Sequence, residues 1–323
     1  MTQRLFALAT LVALAALPFT GCSKPGQPPT PATRLAEGPA EPTHRSFATP
    51  EDAVAALVRA AENKDTAELA RLLGLDSEEL LSSGDLVADR AALDSFVKRY
   101  RTKHEFVAGS NDFLVLTIDD DAWPLPVPLV HTDGHWLFDG AAGIDELVLR
   151  RIGANELRTI DVMRGYVEAQ EDYAAAEHDG AAAGTYALAL KSDAGKHNGL
   201  YWETAQGEPE SPAGPMLAAA AAEGYGGQGA KAPYHGYLYH LLRKQGAAAE
   251  GGARDYVVDG KLTAGFAVLA YPESYGVSGV TTFIVNQDGV VWQRDLGDDT
   301  PRLAAAIDTF DPDSSWTPIA PEG

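Results

Sequence analysis

The sequence predicts an α+β protein of two domains, on three observations. Apolar residues recur at helical spacing through residues 50–102 and then change to short strand-like runs through residues 104–138. A second change follows: an amphipathic stretch at 150–175, "RRIGANELRTIDVMRGYVEAQEDYAA", precedes more strand-like runs that reach residue 296. The chain has 323 residues and is 45% hydrophobic, enough for two cores.

The first domain is expected over residues 47–145. Thr49 reads as an N-cap, Pro50 as the first helical residue and Asp52 as the partner in a capping box. "TAELARLLGL" reads as a second helix ended by Gly74, and "SEELLSSGD" as a third. "DRAALDSFVKRYRTK" reads as a fourth, with Leu93, Phe96, Val97 and Tyr100 facing inward. "HEFVAG", "DFLVLTID", "PLPVPLVHTDG" and "HWLFDG" read as strands. "TDG" is a hairpin turn, because Asp and Gly tolerate positive φ. Pro124, Pro126 and Pro128 suit an edge strand, where a missing N–H harms no ladder.

The second domain is expected over residues 146–319. Ile152, Leu157, Ile160, Met163, Val167, Gln170 and Ala174 form a stripe at three- and four-residue steps, which needs a sheet to cover it. "YHGYLYHLLRKQG", "DYVVDGKLTAGFAVLAYPES", "GVTTFIVNQDG" and "VVWQRDLG" supply strands, with a tight turn at "NQDG".

The front of the chain reads as processing signal and tether. "MTQR" is followed by 15 apolar residues, "LFALATLVALAALPF", too few to span a bilayer at the ~20 that a helix needs. "FTGC" then resembles the lipobox of bacterial lipoproteins. The resemblance implies a signal peptide over 1–21, cleavage before Cys22, and lipid on Cys22, the only cysteine in the chain. Ser23 and Lys24 follow, with no Asp at the second position. By similarity to Gram-negative sorting signals, this implies the outer membrane, with the chain facing the periplasm. Residues 22–46 carry the lipidated Cys and a Pro-, Gly- and Thr-rich tether that cannot bury a core. A formal net charge of −21 argues against nucleic acid as a partner, since the protein's own field repels it.

"VPLVHTDGHWLFD" resembles the final hairpin of nuclear-transport-factor-two-like domains, implying a cone-like fold over about residues 47–145. Asn155, Glu156, Ala169, Gln170 and Tyr173, with "FAVLAYP" and "GVSGVTTFIVNQDGVV", resemble the soluble domain of type IV pilins. Pilins build filaments with an apolar half-helix, and here "GAAGIDELVLRR" stands in that place. "DDDAWPLPVPLV", "RRIGANEL", "GLYW", "ESPAGPM", "PYHGYLYHLLRKQG" and "DLGDDT" together resemble a bacterial lipoprotein family, domain-of-unknown-function family 2950. That resemblance implies an envelope location and no particular activity.

Candidate chemistry is sparse. His131 and His135 flank the hairpin turn at Asp133, where the two rings could approach across strands beside Trp136. A metal would need further donors, and none is assigned. Asp119, Asp120 and Asp121 read as turn carboxylates, and Ser278 in "SYGVSG" falls short of a nucleophile elbow. Tyr234, His235, Tyr237 and Tyr239 alternate along an expected strand, a possible wet aromatic face for docking. Tyr201 and Trp202 sit in a Gly- and Pro-rich loop that could present an aromatic anchor.

The sequence assembles no nucleophile, base and oxyanion group, and no phosphate loop. The reading is therefore a non-catalytic, lipid-anchored protein that recognises other envelope proteins, with no cofactor and its oligomeric state open. The alternative is a small-molecule pocket in the first domain at His131, Asp133, His135 and Trp136.

Overall fold

Among the described residues, three α-helices lead into the first sheet. The computed structural model describes residues 44–75, 81–109, 113–204, 208–223, 225 and 232–320; the signal segment, Cys22 and the tether up to residue 43 lie outside them. Helix α1 (Pro50–Asn63) opens as its capping residues require: Thr49 Oγ1 accepts the Asp52 N–H and its hydroxyl donates to the Asp52 carboxylate. Helix α2 (Thr66–Leu73) starts on Asp65 and stops at Gly74 with φ +69°. Most of "SEELL" lies outside the described residues, and the "SSGD" that follows is not helical; Asp85 caps α3 (Leu86–Thr102) instead.

Strands β1 (His104–Ala108), β2 (Phe113–Ile118), β3 (Trp123–Pro124), β4 (Leu129–Thr132) and β5 (His135–Phe138) form an antiparallel sheet in the order β1-β2-β4-β5, with β3 also on β2. The proline stretch is an edge strand only in its first part. Trp123–Pro124 pairs with β2 alone and keeps a free edge, as expected, whereas Leu129–Val130 lies between β2 and β5; no ladder forms over residues 126–128, where Pro126 and Pro128 cannot donate. The Thr132–His135 hairpin turn is as expected, with Asp133 at φ +51° and Gly134 at φ +79°. The acidic run is tied down rather than free: Arg99 pairs with Asp119 and Asp121, and Trp123 lies within 5.3 Å of the Arg99 guanidinium and 4.7 Å of Arg150's. Val54, Leu57, Leu72, Leu116, Ile118, Leu129 and Phe138 meet between helices and sheet as a filled apolar core.

Helix α4 (Gly140–Ala174) is longer than the sequence period suggested, starting ten residues before the quoted stretch. Gly140 and Gly143 press its first turn against the first core: a Cβ at Gly140 would lie 2.0 Å from the Leu73 carbonyl oxygen, and one at Gly143 would lie 2.6 Å from Val127 Cα. The rest of α4 lies on the second core through Met163, Tyr166 and Val167, and Ile152 and Gln170 of the expected stripe are buried too. Leu157, expected in that stripe, is 63% exposed. The buried face drifts around this long helix, and at that level Asn155 and Thr159 take the inward positions.

After α4 the chain forms a loop to residue 204, then α5 (Gly214–Ala222). Strands β6 (Tyr237–Leu242), β7 (Lys244–Gln245), β8 (Arg254–Asp255), β9 (Val257–Val258), β10 (Lys261–Leu262), β11 (Ala267–Pro272), β12 (Thr281–Asn286) and β13 (Trp292–Asp295) follow, then α6 (Thr300–Ala306) and β14 (Thr317–Pro318). The main sheet is antiparallel in the order β14-β13-β12-β11-β6. Its centre is almost wholly apolar: Val268, Leu269, Ala270, Phe283, Ile284 and Val285 are at most 4% exposed. The architecture is α+β, with two cores that share α4.

Candidate functional site

One group of buried polar residues lies where the two cores meet. Asp85 is fully buried at the N-terminus of α3. Its Oδ1 accepts the N–H groups of Val87 and Ala88, a helix cap. Its Oδ2 reaches the other core, accepting the Tyr225 hydroxyl at 2.7 Å and the Gly236 N–H at 3.0 Å. One carboxylate thus satisfies donors from both halves of the chain. Burial and the neighbouring Asp85 carboxylate push the Tyr225 phenol well above its ordinary pKa, so it stays a donor.

Tyr234, His235, Gly236 and Tyr237 form a two-residue turn that leads into β6 at Tyr237. Tyr234 and Tyr237 exchange both backbone hydrogen bonds, with His235 at φ +52° and Gly236 at φ +76°. Glycine is needed at 236, because a Cβ there would also meet Asn155 Nδ2 at 2.6 Å. His235 is 5% exposed; its N–H donates to the Tyr225 hydroxyl at 3.3 Å, and its Nε2 lies 3.5 Å from Glu223 Oε2. Its Nδ1 is buried with no hydrogen-bond partner among the described residues. Burial lowers the imidazole pKa below its ordinary value, with Arg158 adding to that and Glu223 and Asp85 opposing it. Tyr234, Tyr225 and His235 pack ring against ring, Tyr234 and His235 at 4.1 Å between centroids.

The docking face expected along this segment is therefore corrected. Tyr237 is completely buried, donating to the Thr281 carbonyl at 3.0 Å, and Tyr239 points its hydroxyl at Thr159 of α4. A strand that lies under a helix has its odd-numbered side chains covered, so alternation here reports packing. The residues of α4 that resembled pilins act as anchors to the rest of the second core. Asn155 donates to the Ser278 carbonyl, Glu156 accepts the Val280 and Thr281 N–H groups, and Gln170 exchanges bonds with both backbone groups of Ala187.

The His131–His135 arrangement is also corrected. His131 pairs with Trp136 across the hairpin, and His135 pairs with Thr132. Paired residues share a face and neighbours in a strand alternate, so the two imidazoles leave on opposite sides. His131 packs on Trp136 at 4.9 Å, and Asp133 is taken up by the turn. Two grooves stand out elsewhere. One of about 530 Å³ lies among Glu62, Asp94, Lys98 and Arg101 on the outside of α1 and α3. The other, of about 610 Å³, lies beside β6, lined by His240, Arg243, Lys244, Tyr271, Ile307 and Asp308. Neither includes His131, Asp133, His135 or Trp136.

Tyr201 and Trp202 sit in the loop after α4, both half-buried against the second core. Trp202 stacks on His197 at 4.3 Å and meets His178 at 5.5 Å; His178 in turn stacks on Tyr173. The Tyr201 N–H bonds to the Leu190 carbonyl, and Leu188 and Leu190 are 37% and 43% exposed. This loop is an apolar and aromatic surface held by ring stacking.

Asp85, Tyr225 and Glu223 escaped sequence reasoning. Asp85 carries a local signal, an Asp just before a helical period, but its partners lie 140 and 151 residues away. The His-Gly pair between two tyrosines was readable as a turn, since His tolerates positive φ better than most residues.

No curated protein and no solved structure matches the chain. Residues 44–319 match the family described as "Protein of unknown function (DUF2950)", so the chain, which carries its tyrosine–histidine junction inside that span, belongs to this family.

Proposed function

We propose that this protein is a lipid-anchored component of the bacterial envelope, facing the periplasm from the outer membrane, that works by recognising other proteins. The observation that carries the recognition reading is the Tyr201–Trp202 loop. There a half-buried Trp stacked on His197 and two exposed leucines belong to one loop. Aromatic anchors of this kind dominate protein interfaces. Small-molecule turnover in the first core has less support, because Leu116, Ile118, Leu129 and Phe138 fill its interior. The same proposal takes the first unit, residues 47–145, as cone-like and the second, residues 146–319, as pilin-like. Helices before a meander support the one, and a long helix laid on an antiparallel sheet supports the other.

Crosslinking in intact cells tests the recognition surface. A photoreactive residue at Leu190 should capture a discrete envelope protein, and Trp202→Ala should cut that yield by about tenfold, as expected for loss of an anchor contributing ~1.4 kcal/mol or more. A probe at exposed Arg90 on α3 should not capture the same protein. Equal capture from both positions would remove the case for this surface. The anchor has its own test: Cys22→Ala should move the protein from the membrane to the soluble periplasmic fraction. Continued sedimentation with membranes would show that lipid on Cys22 is not what holds it.

A further inference from the structure

We propose that the free edge of β1 is a self-association surface: a second copy of this chain adds its own β1 antiparallel to it, with Val107 facing Val107 of the second copy. The pairing with β2 fixes which backbone groups of β1 are free. The Asp119 N–H donates to the Lys103 carbonyl and the Gly109 N–H to the Phe113 carbonyl, so the odd-numbered residues of this stretch bond to β2. The N–H and C=O groups of His104, Phe106 and Ala108 therefore point away from the sheet. None of them has a hydrogen-bond partner among the described residues. Nothing blunts this edge: His104–Ala108 holds no proline, glycine or bulge, and its register with β2 is unbroken. The His104 ring turns back onto α3, stacked on Tyr100 at 4.0 Å with Nδ1 3.0 Å from the Tyr100 carbonyl oxygen.

A row of unpaired backbone groups is completed by another extended strand. The side chains of β1 select a second β1. Val107 is 49% exposed, on the sheet face opposite Leu116 and Ile118 and beside Val115. Antiparallel addition with Val107 on the twofold axis sets the two valines directly opposite, in a non-hydrogen-bonded pair where side chains come closest. On each side of them, Phe106 of one copy exchanges both backbone bonds with Ala108 of the other. Glu105 then lies opposite Gly109 of the second copy and keeps its own Lys103 at 3.4 Å, so no like charges face each other. The register reads the same from both copies, as a twofold contact requires. Two short strands make a small contact, so the dimer is weak, with a Kd on the order of 100 μM.

Sedimentation velocity of the full chain tests the dimer. The weight-average mass should rise by about half between about 10 μM and about 500 μM. Ala108→Pro removes an outward N–H where an edge strand tolerates proline, and should weaken the dimer by about tenfold or more. Cysteine crosslinking reads the register. Under a mild oxidant Val107→Cys should form a disulfide between copies, since residues opposite each other there lie about 4.5 Å apart at Cα, within disulfide reach. Glu105→Cys should give about a tenth of that yield or less, because its two copies stand about four residues out of register, or about 14 Å apart. The parent, whose only cysteine is Cys22, sets the background. An edge that serves only a strand of another protein would leave the parent monomeric at about 500 μM, and that result overturns the proposal. So does an Ala108→Pro variant that dimerises like the parent, or equal crosslinking from positions 105 and 107. Should Ala108→Pro fail to fold, the two cysteine variants decide, since Glu105 and Val107 are both exposed.

Discussion

Asp85→Ala lowers the unfolding free energy by about 4 kcal/mol, from about 1 kcal/mol for the lost cap and about 1–3 kcal/mol for each buried donor left unpaired. Those donors are the Tyr225 hydroxyl and the Gly236 N–H, and both come from the other core. Asp85→Asn keeps an oxygen for the helix cap and turns an NH2 towards the distant groups, where the Tyr225 hydroxyl can accept but the Gly236 N–H loses its acceptor, so it costs less, about 2 kcal/mol. Tyr225→Phe removes two bonds, the one given to Asp85 and the long one taken from the His235 N–H, and costs about 1–2 kcal/mol. Urea unfolding of the three variants checks the order. If Asp85→Ala lies within about 1 kcal/mol of the parent, the carboxylate is not joining the cores as described.

Gly143→Ala, in the first turns of α4, lowers stability by about 3 kcal/mol. Alanine is ordinarily the better helix former by about 1 kcal/mol, so the sign itself is informative. At Gly143 the new Cβ would stand 2.6 Å from the Pro126 carbonyl oxygen and from Val127 Cα, and backbone cannot step aside as a side chain tip can. Ten residues along the same helix, Gly153 has no atom within 4 Å of such a Cβ. Gly153→Ala therefore raises stability by about 0.8 kcal/mol. Thermal unfolding of both variants separates packing from propensity. Two changes of the same sign would mean that the first turns of α4 are not pressed against Val127.

Much of the architecture follows from local rules that act within a few residues. The Thr49–Asp52 cap, the Gly74 stop, the Asp133–Gly134 turn and the change from helical to strand period each depend on a short window, and each is legible there. So is the need of the stretch after residue 150 for a covering sheet, which β11 and β12 meet on the face of Val268, Ala270, Phe283 and Val285. Local rules mislead where a neighbour in space decides. Leu157 fits the apolar period but falls where α4 has rotated away from the sheet, and the alternating tyrosines of β6 look half-wet until α4 covers them.

Residue order alone is enough for the α+β class, for most turns and caps, and for the family that residues 44–319 match. Tertiary structure alone decided which polar groups matter. Asp85 with Tyr225 and Gly236, Asn155 with Ser278, and Gln170 with Ala187 pair residues 17 to 151 positions apart. A hydrogen bond reaches about 3 Å, and only the folded chain brings such groups that close.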